Sequence, residues 1–149
     1  MDFFQRALRY LSSRIEGLDD EVLGWRPAPD TTPISNIVLH ALGSTAASFT
    51  VATGEPRERD RDAEFSAPPL PAAKLVELIG QVEDHLERYR DRLTVADLVS
   101  ERPRPARGQL FTGLQVLLNS YGHLSAHIAQ IELTLQLAEE RHRPAAADR

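Results

Sequence analysis

Leu117-Leu118-Asn119-Ser120-Tyr121-Gly122-His123-Leu124-Ser125-Ala126-His127-Ile128-Ala129-Gln130-Ile131-Glu132-Leu133-Thr134-Leu135 is the stretch that decides the fold. Leu117, Leu124, Ile128, Ile131 and Leu135 recur at spacings of three, four and seven, so they line one face of a helix. The pattern extends from about Leu110 to Arg141, long enough for that helix to span a whole domain. An apolar stripe of that length needs other helices to cover it.

Working outward, three further stretches carry apolar residues at spacings of three and four. The first runs from Asp2 to Gly17 with Phe4, Leu8, Leu11 and Ile15 on one face, and Gly17 is its stop. A short helical turn at Asp19–Gly24 follows, before Trp25-Arg26-Pro27-Ala28-Pro29 imposes extended backbone. The second long helix is expected to start with Thr32 as its cap and Pro33 at its first position, and to end near Gly54. Its stripe is Ile34, Ile37, Val38, Ala41, Leu42 and Phe49. Gly54 to Pro71 mixes charges with four prolines and reads as a long surface connection, a crossover rather than a tight hairpin. The third long helix spans about Ala72 to Leu93 with a charged outer face. A weak turn at Ala96-Asp97-Leu98 and a loop from Pro103 to Gly108 lead into the fourth. No strand is expected. The pattern predicts an all-α four-helix bundle with a long crossover, one domain over residues 1–143, and a disordered tail over 144–149.

Composition narrows the chemistry. With 149 residues, 42% apolar and 26% charged, the chain can bury a full core, and it has no cysteine. Thiolate metal sites, disulfides and a cysteine nucleophile are therefore excluded, and any metal must use His, Asp or Glu. Seventeen basic against 22 acidic residues give a net charge of −5, which disfavours nucleic acid. No signal peptide and no long uninterrupted apolar run is visible, so a soluble cytoplasmic protein with no membrane partner is expected.

His123 and His127 are four apart, one turn above the other, at the edge of the long helix's stripe. A pair chelates weakly, so a third ligand must come from elsewhere in the bundle. His40, in the apolar run Ile37-Val38-Leu39-His40-Ala41-Leu42, is the candidate, since a buried imidazole needs a hydrogen-bond partner or a metal. The competing reading is a core histidine satisfied by a hydrogen bond. His85 and His142 sit among charged residues and read as solvated. Trp25 reads as a plug over the bundle end, and Glu132 points off the shared face of the histidine pair. Tyr121, Ser44 and Gln130 lie near the three imidazoles in sequence, but nothing in the sequence gives them a role. Leu133 and Leu137 fall off the core stripe and suit a homodimer contact.

Together, Trp25-Arg26-Pro27, the run from Pro33 to Ser44, Gly54-Glu55-Pro56, Arg59 to Phe65, and His123-Leu124-Ser125-Ala126-His127-Ile128-Ala129-Gln130-Ile131 resemble the DinB-like superfamily of metal-binding four-helix proteins. The chain has Asn119 where many relatives carry another His, and Ala129 where they carry Gly. The resemblance implies a divalent metal, zinc, nickel or a similar ion, held by His40, His123 and His127. It further implies a metal-dependent enzyme of thiol-transferase or hydrolase type acting on a small electrophile, with a low-molecular-weight thiol as co-substrate. The alternative is a non-catalytic helical interaction module, dimeric, with a structural metal or none.

Overall fold

In the computed structural model, which describes residues 2–55, 58–103 and 110–142, the order of elements is α1 (Asp2–Ile15), α2 (Asp20–Gly24), α3 (Ile34–Ala52), α4 (Arg61–Ser66), α5 (Ala72–Arg90), α6 (Val95–Val99), β1 (Glu101–Pro103), β2 (Leu110–Thr112) and α7 (Gly113–His142). The expected tail over 144–149, most of the loop before β2 and the side chain of His142 lie outside the described residues.

The four long helices form an all-α bundle. Phe4, Leu8, Leu11 and Ile15 are all buried on α1, and Gly17 follows at φ +79°, in the left-handed region that releases the chain from the helix. Phe4 meets Phe49 edge-on at 5.0 Å and Tyr121 at 5.5 Å, tying α1 to α3 and α7. Helix direction follows from side-chain pairs. Phe4 with Tyr121 and Arg14 with Glu132 make α1 and α7 parallel, and Gln5 with Glu87 and Arg9 with Glu83 make α1 and α5 antiparallel. His85 lies against Ala46 and Tyr89 against Glu55, so α3 and α5 run the same way. Two consecutive parallel helices require a crossover, which is the length of chain read between Gly54 and Pro71.

α3 is the central element. By length and composition it is apolar enough to cross a membrane, but 78% of it is buried inside the bundle, as for a core helix. Two of its buried hydroxyls return to the helix itself: Ser48 donates to the Ser44 carbonyl at 2.8 Å and Thr50 to that of Ala47 at 2.8 Å.

Local features differ from the sequence reading in four places. Pro33, not Thr32, is the residue that caps α3: it is extended at ψ 154°, and its carbonyl accepts from the N–H groups of Asn36 and Ile37. The crossover contains a helix, α4, whose Asp60 cap accepts from the Ala63 N–H at 2.9 Å. β1 and β2 pair antiparallel, with Arg102 opposite Phe111. Three-residue strands, one ending in proline, are too short to show alternation. Finally, His85 is not solvated: it is half-buried, with Nε2 3.3 Å from the Ala46 carbonyl and its ring 4.6 Å from that of Tyr89. Trp25 lies at the bundle end, half-buried, with the Arg141 guanidinium 5.9 Å from its ring.

Candidate metal centre

α3 and α7 run antiparallel with close contact along their length, which brings His40 to the pair on α7 although 83 residues separate His40 from His123. The three imidazoles offer ring nitrogens that all lie within 4.8 Å of one another. Nε2 of His123 stands 3.1 Å from Nε2 of His40 and 3.2 Å from Nε2 of His127. The rings meet edge to face, at 77° for His40 and His123, 87° for His40 and His127, and 84° within the pair. His40 is buried; His123 and His127 are half-buried, so the cluster opens to one side.

The outer nitrogens decide which atoms face inward. His40 Nδ1 is 3.1 Å from Oε2 of Glu64 and 3.0 Å from Nη2 of Arg59. That Nη2 has two protons and two better acceptors, Glu64 Oε2 at 2.5 Å and the His40 carbonyl at 3.0 Å. The network therefore assigns the ring proton to His40 Nδ1, donating to Glu64, and leaves a lone pair at Nε2. His127 Nδ1 lies 3.0 Å from Gln130 Oε1, which accepts only, so His127 also presents its Nε2 lone pair inward. A single N–H on His123 Nε2 satisfies only one of these lone pairs at a time.

Two nitrogens bound to one ion at about 2.0–2.1 Å, at angles between right and tetrahedral, stand roughly 2.8–3.4 Å apart. The Nε2 separations of His123 from His40 and from His127 fall in that range, and with all three donors within 4.8 Å of one another the set is compatible with a small divalent ion. The electrostatics agree. Burial, then the Arg59 guanidinium, then His127 and Arg61 push His40 down to about 4, so its ring is neutral at pH 7, as a ligand must be. Its contact with Glu64 is accordingly a hydrogen bond to a neutral ring, although the pair has salt-bridge spacing.

The groups around His40 come from the crossover. Arg59 and Glu64 pair through two contacts, Nε to Oε1 at 2.7 Å and Nη2 to Oε2 at 2.5 Å, and Phe65 packs on the His40 ring at 4.4 Å. Asn36, one turn before His40 and buried, donates through Nδ2 to the carbonyls of Glu64 at 3.0 Å and Ala67 at 2.8 Å, clamping α4 to α3. Gly43 makes room: a Cβ there would stand 2.1 Å from Glu64 Oε1. Arg59 and Glu64 entered the sequence reading only within the run that carries the family resemblance, with no contact to His40 assigned, because nothing local links a carboxylate to a ring 24 positions earlier. Gln130, near the pair in sequence but given no role there, stands three residues along the helix from His127 and beside its ring. Of the other neighbours, Tyr121 packs on Phe3 and Phe4, and Ser44 is buried on α3. Glu132 is held by Arg14 at 2.6 Å, away from the cluster.

A sequence model of the DinB superfamily matches residues 4–131. Two solved structures are similar in fold. One is a DinB-like protein from Bacillus subtilis, with TM-score 0.65, 16% identity, and 96% of this chain and 89% of that chain covered. The other is a DinB family member from Shewanella denitrificans, with TM-score 0.63, 17% identity, and 92% and 78% covered. No curated protein matches the chain in sequence.

Proposed function

We propose, for a chain that belongs to the DinB superfamily, that His40, His123 and His127 bind one divalent ion, zinc, nickel or similar, in a metal-dependent enzyme acting on a small electrophile. The observation that supports this most strongly is the pair of Nε2 separations, 3.1 and 3.2 Å, combined with lone pairs directed inward from His40 and His127.

Held by three neutral ligands, such an ion keeps its full charge and supplies Lewis acidity, lowering the pKa of a bound thiol or water. The chain's own residues do the rest. Glu64 fixes the tautomer and orientation of His40, Gln130 does the same for His127, and Arg59 holds the Glu64 carboxylate in place. Burial of His40 against Phe65 keeps water from the inner side of the cluster, while the half-buried pair on α7 leaves the outer side open to a substrate. Because the chain has no cysteine, a thiolate nucleophile would come from a low-molecular-weight co-substrate. The setting we infer is the cytoplasm, with a small-molecule substrate and neither nucleic acid nor membrane as partner.

Elemental analysis of protein purified without chelator tests the reading. About one equivalent of metal is expected in the wild type and none in His127→Ala. A wild-type protein that neither retains metal nor takes it up from zinc or nickel solution would overturn it.

A further inference from the structure

Arg59 and Arg61 both stand in the crossover near the three histidines, and only one of them is neutralised. Arg59 is held by Glu64 through the two contacts described above. Arg61, the first residue of α4, is exposed and has no carboxylate within 4 Å among the described residues. Of the acids around it, Glu64 is turned to Arg59, Asp60 accepts from the Ala63 N–H as the cap of α4, and Asp62 is one residue on, about 100° round the helix. What Arg61 does touch is aromatic. Its guanidinium lies 4.9 Å from the centre of the Phe65 ring, one turn along α4, and that ring lies 4.4 Å from the ring of His40. Guanidinium, phenyl and imidazole therefore follow one another from the surface to the buried member of the cluster. We propose, resting on the functional reading above, that Arg61 binds the anionic group of the substrate, and that the electrophile acted on at the three-histidine site is a carboxylate-bearing molecule.

The charge balance selects an anion. The ligand group holds three imidazoles and no carboxylate, so nothing in it offsets the charge of a divalent ion. The pair of Arg59 with Glu64 sums to zero, and Arg61 adds one more positive charge. That charge reaches inward, since Arg61 is among the groups that lower the His40 pKa, after burial, Arg59 and His127. The chain as a whole carries −5, which makes this site a positive spot on an acidic molecule and draws small anions toward it. The geometry selects a carboxylate. A guanidinium stacked on a ring keeps its N–H groups along its edge, where a planar carboxylate accepts two of them at once. Because only one ring separates Arg61 from His40, a molecule with its carboxylate on Arg61 and its reacting atom at the ion needs to be only a few bonds long.

Isothermal titration of the zinc-loaded chain at pH 7 with 3-mercaptobenzoate and with 3-mercaptobenzamide tests this. Both thiols can bind the ion through sulfur, the ring keeps the second group from reaching the same ion, and only the benzoate carries a charge for Arg61. The wild type is expected to bind the benzoate more tightly than the amide, and the ratio of the two affinities is expected to fall by about 5- to 10-fold in Arg61→Gln. Arg61→Met, which still covers Phe65 but carries no charge, is expected to lose the same factor; a guanidinium that served only to pack on the ring would leave the ratio unmoved. A wild type without preference for the benzoate, or a ratio unchanged in either variant while zinc and both thiols still bind, overturns this proposal alone. A chain that takes up no zinc, or a zinc-loaded chain that binds neither thiol, overturns the functional reading and this proposal with it.

Discussion

Nδ1 of His40 donates to Oε2 of Glu64 across 3.1 Å, and this contact joins the most buried imidazole of the cluster to the crossover between α3 and α5. A carboxylate behind a metal-ligating histidine fixes the ring and raises its basicity; losing it typically costs 10–100-fold in metal affinity. Glu64→Gln keeps an acceptor but removes the charge, and leaves Arg59 uncompensated beside the ring. Competition with a calibrated chelator is expected to show zinc binding weakened by about 10-fold or more. Unchanged affinity would remove Glu64 from the metal's support.

Proton linkage at His40 gives a second expectation. Its folded pKa, lowered to about 4 chiefly by burial, lies below the ordinary value of 6.5. Between those values the unfolded chain binds more protons, so stability rises with pH there and is lost as pH falls from about 6.5 toward 4. For metal-free protein the loss attributable to His40 between pH 7 and 5 is about 2 kcal/mol. Urea unfolding with chelator present, compared with His40→Gln, isolates it: the variant should show a correspondingly shallower slope.

Gly43→Ala places a Cβ 2.1 Å from Glu64 Oε1 and 3.1 Å from Arg59 Nε. The carboxylate must move off, for a loss of about 1–3 kcal/mol of stability by overpacking. Metal affinity should fall with it. In Gly43→Ala/Glu64→Gln the two affinity losses should fall short of their sum, because both act through one hydrogen bond. Full additivity in isothermal titration would show that Gly43 acts elsewhere.

Zinc or nickel at 100 times its dissociation constant adds about 2.7 kcal/mol to the folded state. For a chain of this size that raises Tm by roughly 5–10 °C. Differential scanning calorimetry should show the shift in the wild type and lose it in His123→Ala. An equal shift in both would mean that the ion binds outside the three-histidine cluster.

The long helices were legible because each buries a stripe whose spacing is written locally; the run Phe4, Leu8, Leu11 and Ile15 is buried as read. The crossover was legible too, from its length and its prolines. α4 was not, since none of its six residues is buried and no stripe marks it. Displacement of the α3 cap from Thr32 to Pro33 has the same origin, because propensity ranks residue types while backbone geometry picks the register.

By itself the sequence determined the periodicity of four helices, the exclusion of cysteine ligands and of a cysteine nucleophile, and the His123–His127 pair, all set by residue identity or short separation. Only the tertiary structure decided that His40 reaches that pair, and that Glu64 and Arg59 stand behind it. Those contacts span 83, 24 and 19 residues. At such distances geometry is set by how α3 packs on α7 and α4, and no local spacing encodes it.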